Sequence, residues 1–281
     1  MDRFNHLLPR IEKLLDRLEN RPAETIDWKK AHAARWIAES RSLRAIVHPH
    51  RIEAKHLLGI DEQKQMIDAN TRQFVEGRPA NNVLLTGARG TGKSSLVKAM
   101  LAKYAGKGLR LVEVDKAGLA HLPELFDLLP EGPQRFILFC DDLSFTSNEP
   151  GYPALKAALD GSLSTASDNV LIYATSNRRH LMPEDMAENL DTRHAGGEIH
   201  PGETTEEKVS LSERFGLWVR FYPMDQDDYL AIATHWAMTL GAKDCQSGKF
   251  TLAALQWSLT RGARSGRTAW QFARDWVGQG K

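Results

Sequence analysis

Residues 86–100, "TGARGTGKSSLVKAM", place Gly87, Gly92, Lys93 and Ser94 at the spacing G-x-x-x-x-G-K-[ST]. This spacing suits a nucleoside triphosphate. Glycines let the backbone wrap closely around a phosphate, and the amides of Gly90, Thr91, Gly92, Lys93, Ser94 and Ser95 can point inward as donors. A helix opening at Lys93 adds the partial positive charge of its N-terminus. Gly87, Ala88 and Arg89 complete the expected cradle, with Lys93 reaching the β- and γ-phosphates and the Ser94 hydroxyl ligating Mg²⁺. The alternative, a glycine turn that merely caps a helix, leaves the lysine unexplained.

A second stretch, "RFILFCDDLSF" at 135–145, ends an apolar run in two neighbouring carboxylates. Side chains alternate faces along a strand, so Asp141 and Asp142 point in different directions and serve different tasks. Beside a nucleoside triphosphate, Asp141 suits Mg²⁺, held partly through its water shell. Asp142 faces the γ-phosphate and suits the water that attacks it. The plainer reading makes one aspartate a turn cap after the strand. Further on, "NVLIYATSNRRHL" brings Asn177 to another strand end, where it polarises the water, touches the γ-phosphate or simply turns the chain. In "RGARSGRTAWQFARDW", a Ser265 N-cap would put Arg267 in the first helical turn, against the dipole, unless an anion sits there.

These residues need elements to hold them. "NVLLT", "LRLVEVD", "RFILFC", "NVLIYATS" and "LWVRFYP" read as five strands with helical stretches between several of them. Strands apolar on both faces and separated by helices predict a parallel sheet covered on both sides, an α/β fold. After Pro223 three helical patterns form a small domain. Before residue 55 the chain also reads as helical. Phe4, Leu7, Leu8, Ile11, Leu14, Leu15 and Leu18 recur at helix spacing, and a second helix is predicted from Asp27 through "WKKAHAARWIAES". The expected division is a helical extension over 1–55, a nucleotide-binding domain over 56–224 and a helical domain over 225–281. The longest irregular segment, 191–211, has the length of a functional loop.

Together the Walker A loop (87–95), Walker B strand (136–142), Asn177 as sensor 1, Arg214 in "LSERFGLW" and Arg267 as sensor 2 resemble an AAA+ P-loop ATPase. Within that superfamily "LLTGARGTGKSSLVKA", "FCDDLSF", "YATSNRRHL", "EIHPGE" and "LSERFGLW" are similar to the bacterial domain-of-unknown-function 815 family, from about residue 55 to the C-terminus. The resemblance implies a three-layer domain with a five-stranded parallel sheet ordered 5-1-4-3-2, and a C-terminal helical lid over ATP and Mg²⁺. It implies that Gly59 and Ile60 meet the adenine and that Arg267 senses phosphate in cis. It further implies a homo-oligomer in which Arg214 acts in trans as an arginine finger. The plain reading of Arg214 is a solvated salt bridge. Hydrolases of this layout usually carry Glu where Asp142 stands. The shorter acid implies a closer backbone, a second intervening water or slow turnover, though a paired Asp also recurs in bacterial replication initiators of the superfamily.

Two functions remain open on this reading: an assembling ATP hydrolase that remodels an unknown protein partner, and a slow nucleotide switch or loader with little turnover. The segment "DKAGLAHLPELF" lacks the aromatic pore loop of ring unfoldases. A net charge of +1 gives no global pull toward nucleic acid, and only Arg261, Arg264, Arg267 and Arg274 form a basic cluster. Phosphate sensing and a solvated helix face account for most of that cluster, which leaves nucleic acid open as a partner without indicating it. His48, His50, His194 and His200 lack metal-site spacing. Two cysteines exclude a disulfide framework, and no apolar run approaches the ~20 residues of a membrane span. A cytoplasmic protein with no membrane partner is expected.

Overall fold

The computed structural model describes residues 26–145, 149–160, 168–177, 181, 194–195, 198–199, 211–245 and 247–280. Seven strands form the main sheet: β1 (Ala33–Ile37), β2 (Ser42–Ala45), β3 (Val83–Gly87), β4 (Leu109–Glu113), β5 (Arg135–Cys140), β6 (Val170–Ser176) and β9 (Leu217–Phe221), in the order β2-β1-β4-β5-β6-β3-β9. Two short strands, β7 (His194–Ala195) and β8 (Glu198–Ile199), pair separately as an antiparallel ladder. The helices are α1 (Asp61–Val75), α2 (Lys93–Tyr104), α3 (Leu122–Leu128), α4 (Gly151–Asp160), α5 (Gln226–Thr239), α6 (Gly248–Thr260) and α7 (Gly266–Gly278).

The period of two along each strand sorts the apolar residues into two cores. Leu84, Phe136, Leu138 and Ile172 face one side, where Leu122 and Leu125 of α3 and Leu155 of α4 cover them. Val83, Leu85, Ile137, Phe139 and Tyr173 face the other side, against Ile67 and Phe74 of α1 and Leu96 and Met100 of α2. Both faces are thus dry, as the unbroken apolar runs of β3, β5 and β6 require. The helices α5, α6 and α7 build a third core around Tyr229, Phe250, Phe272 and Trp276.

Two expectations are corrected. The sheet has seven strands rather than five, so its order is longer than 5-1-4-3-2, and it is not wholly parallel because β2 runs antiparallel to β1. The five strands read from the sequence occupy consecutive places within it, β9-β3-β6-β5-β4. The added strands come from the second expectation, since the helix predicted from Asp27 is instead a turn followed by the β1–β2 hairpin. Asp27 accepts a hydrogen bond from the Lys29 amide within that turn, at 3.0 Å. Ala34 and Trp36 point into the core, Trp36 only 1% exposed, while Arg35 between them points out to Glu113 at 2.8 Å. That alternation is strand-like, and β1 satisfies the edge of β4 by parallel pairing. Trp28 packs edge-on against Phe136 at 4.9 Å, and buried Arg110 donates to the Trp28 carbonyl at 2.7 Å. Both contacts fasten the segment to the body. The apolar helical pattern at Phe4–Leu18 lies outside the described residues.

Candidate functional site

Strands β3, β5 and β6 are parallel neighbours, so their carboxyl ends open at one edge of the sheet. β3 runs into the glycine loop and α2, β5 ends one residue before Asp141 and β6 ends one residue before Asn177. The loop's glycines are dictated by contact as well as by dihedral. Gly87 has φ +140°, and a Cβ there would lie 2.1 Å from the Phe221 carbonyl oxygen on β9. Gly90 has φ +78°, and its Cβ would stand 2.8 Å from the Ser265 side chain. Gly87→Ala is therefore expected to lower stability by about 1–3 kcal/mol, seen as a fall in melting temperature, because backbone cannot yield as a flexible side chain would. An unchanged melting temperature would mean that β9 sits farther from the loop in solution.

Lys93 is 5% exposed, and its ammonium donates to the Gly87 carbonyl at 2.7 Å, the Ala88 carbonyl at 2.8 Å and Asn177 Oδ1 at 3.0 Å. Burial depresses its pKa, Asp141 and Asp142 oppose that shift, and Arg267 and Arg89 add to it. Asp141 Oδ1 accepts from Ser94 Oγ and from Thr175 Oγ1, each at 2.6 Å. Asp142 has a left-handed φ of +55°, and its amide donates to Thr175 Oγ1 at 2.9 Å. That backbone turn sends the two adjacent carboxylates apart. Asn177 Nδ2 and Arg89 Nη2, the latter at 3.4 Å, both donate to the Asp142 carboxylate. Thr175 was missed as a site residue. It is almost fully buried, and its hydroxyl joins both aspartates.

A cleft of about 1010 Å³ lies between these strand ends and the helices α5 and α7. Ile60, the loop residues Arg89–Ser95, Asp141, Asp142, Asn177 and Arg267 all line it. Ser265 caps α7 by accepting from the Thr268 amide, and the Gly266 amide donates to the Gly90 carbonyl at 2.9 Å. The first turn of α7, with Arg267, therefore rests on the glycine loop. Four expected site residues are absent from the cleft lining, and two of them, Gly87 and Ala88, still meet Lys93 through their carbonyls. A Cβ at Gly59 would stand 3.3 Å from the Asp228 carboxylate, and Arg214 donates to Asp160 at 2.5 Å. The sequence reading also missed a set of rings in the lining: His56, Trp236 and Trp270.

The profile of the family described as "Protein of unknown function (DUF815)" matches residues 29–280. The chain belongs to this family. No curated protein matches the sequence. Among solved structures, this DUF815 member is similar to the P216G mutant of Thermotoga maritima RuvB, with a TM-score of 0.55 and 14% identity over 80% of this chain. It spans 65% of that structure's length. The T. maritima RuvB Holliday junction branch migration motor gives a TM-score of 0.46 at 13% identity, covering 80% of this chain and 71% of its own. The E. coli MS115-1 HORMA:CdnC:Trip13 complex gives 0.45 at 13% identity, covering 79% and 89%. The first likeness shows the fold alone, that of RuvB. No helix among the described residues is long and apolar enough to cross a membrane.

Proposed function

We propose that this chain binds ATP with Mg²⁺ in the cleft, hydrolyses it, and uses the cycle to assemble and to remodel a protein partner. One observation carries the reading: Lys93, Ser94, Asp141, Asp142, Asn177 and Arg267 line a single cleft. Ser94 and Asp141 offer hard oxygen donors 2.6 Å apart, which suits Mg²⁺. Among the described residues no group of three or more His, Cys, Asp or Glu could hold a metal ion. A cation at Ser94 and Asp141 would thus complete its shell with water and phosphate oxygens, as Mg²⁺ does. Bound there, it would neutralise charge on the phosphates. Lys93 would exchange its carbonyl partners for phosphate oxygens, Asn177 would orient the water and Asp142 would take its proton. Ile60 would meet the adenine, and Arg267 would sense phosphate.

A slow switch is the second reading, and a specific contact favours it. The Asp142 carboxylate is held by Asn177 and Arg89, so a base in that position has to be released before it can act. Nucleic acid is not part of either reading. Arg261 lies 3.6 Å from the Trp257 ring centroid, and Arg264 donates to Gln226 at 3.5 Å, so half of the basic cluster has contacts within the chain.

Phosphate release from ATP, measured over a range of protein concentrations, tests the proposal. Turnover per chain should rise as the protein assembles, and Arg214→Ala should flatten that rise if Arg214 acts on a neighbour. Asp160→Ala separates this from loss of an ordinary ion pair, because it removes the Asp160 contact while keeping the arginine and should keep the rise. A wild-type rate independent of concentration across a measured assembly transition defeats the in-trans role. Tight ATP binding with negligible turnover leaves the switch.

A further inference from the structure

Two chemistries meet in the cleft lining. One is cationic, with Arg89, Lys93, Arg267 and the loop amides. The other is aromatic. His56 closes the short 3-10 turn Ala54–His56 on the sheet side, while Trp236 comes from α5 and Trp270 from α7. The His56 ring lies over Trp236 with 5.0 Å between centroids and 26° between planes. Trp236 meets Trp270 edge-to-face at 4.6 Å. His56 Nδ1 and His235 Nε2 share a hydrogen bond of 2.8 Å, which fixes the plane of the His56 ring. Burial, and then the neighbouring His56, hold His235 below the ordinary histidine range. On α7, Arg267 and Trp270 are three residues apart, about 4.5 Å along the axis and on one face. One helix therefore offers a guanidinium and an indole to the same cleft.

The plainer account makes these rings glue between the helical domain and the sheet. Phe250 and Phe272, at the centre of the helical domain's own ring cluster, are dry, 1% and 2% exposed, while Trp236 and Trp257 at its margin are half-buried. His56, Trp236 and Trp270 are half-buried and line the cavity. We infer that His56, Trp236 and Trp270 form a stacking platform for the planar base of the nucleotide whose phosphates the glycine loop takes. The inference rests on the phosphate-binding reading above and moves the main base contact from Gly59 to the rings. Stacking reads a π-face that every nucleobase has, so the platform engages adenine and guanine alike.

Calorimetric titration of ATP, GTP and inorganic tripolyphosphate, each with Mg²⁺, tests the platform on wild type, His56→Ala and Trp236→Ala. Wild type should bind both nucleotides roughly tenfold or more tighter than tripolyphosphate, the size of one stacked base. Each variant should bring both nucleotides down toward tripolyphosphate and leave tripolyphosphate itself unchanged. Trp236→Ala also removes packing on Trp270; if it loses tripolyphosphate as well, His56→Ala decides, since that ring sits outside the helical core. Nucleotide affinities unchanged in His56→Ala and Trp236→Ala overturn the platform. So does a His56→Ala loss that is equal for tripolyphosphate and nucleotides. A wild type that binds neither tripolyphosphate nor nucleotide overturns the phosphate reading itself, a failure distinct from the platform's.

Discussion

Lys93→Ala is expected to abolish nucleotide binding in a calorimetric titration. The lysine is a buried cation whose three donors all point at oxygen, two of them at the loop carbonyls Gly87 and Ala88. Turned toward phosphate, two charge-assisted hydrogen bonds would contribute roughly 3–6 kcal/mol, a loss of about a hundredfold or more in affinity. Removing the ammonium also strips partners from the loop carbonyls and from Asn177, so the fold needs its own control. Lys93→Met keeps the aliphatic stem and should melt above the alanine variant while binding as poorly. Normal ATP affinity in either variant contradicts the cradle. A melting temperature that falls far in both variants would assign Lys93 to holding the loop.

Asp142→Asn is expected to keep ATP affinity within a few-fold and to lower turnover by about 10²–10⁴, the usual contribution of a general base. The amide matches the carboxylate in shape, and its oxygen can still accept from Asn177 or Arg89 in place of the carboxylate. What it loses is the capacity to take a proton. Unchanged turnover would remove Asp142 from the role. The assay also bears on the shorter acid, because a wild-type rate already near that of the variant identifies a chain that binds and closes more than it hydrolyses.

The cradle was legible because its chemistry is local. Glycine spacing, a lysine and a hydroxyl within one loop carry the motif, and β3, β5 and β6 announce themselves as unbroken apolar runs. The β1–β2 hairpin was not legible, because "AHAARWIAES" has alanines and charges that favour a helix in isolation. What decides it lies 78 residues away in sequence, where β4 pairs with β1 and Glu113 meets Arg35. Thr175 was missed for a similar reason. A threonine ending a strand is unremarkable until two aspartates are seen to converge on its hydroxyl. The ring cluster needs three separate segments, so no spacing in the chain could reveal it. Arg214 shows the limit in the other direction: the motif around it is distinct, yet within one chain it donates to Asp160.

The bond from the Gly266 amide to the Gly90 carbonyl makes the helical domain and the glycine loop parts of one gear train. A rotation of α7 that lifts Arg267 from the cleft must either carry Gly90 along or break this contact. A hydrogen bond contributes only about 0.5–1.5 kcal/mol net. The coupling therefore works as a slipping clutch, biasing the loop by roughly two- to tenfold without locking it. Ser265 packed against the bare Cα of Gly90 sets how closely the two faces mesh. A side chain at residue 90 would hold them apart, so that the helices turned without moving the loop, and nucleotide occupancy would no longer be transmitted to the helical domain through this contact.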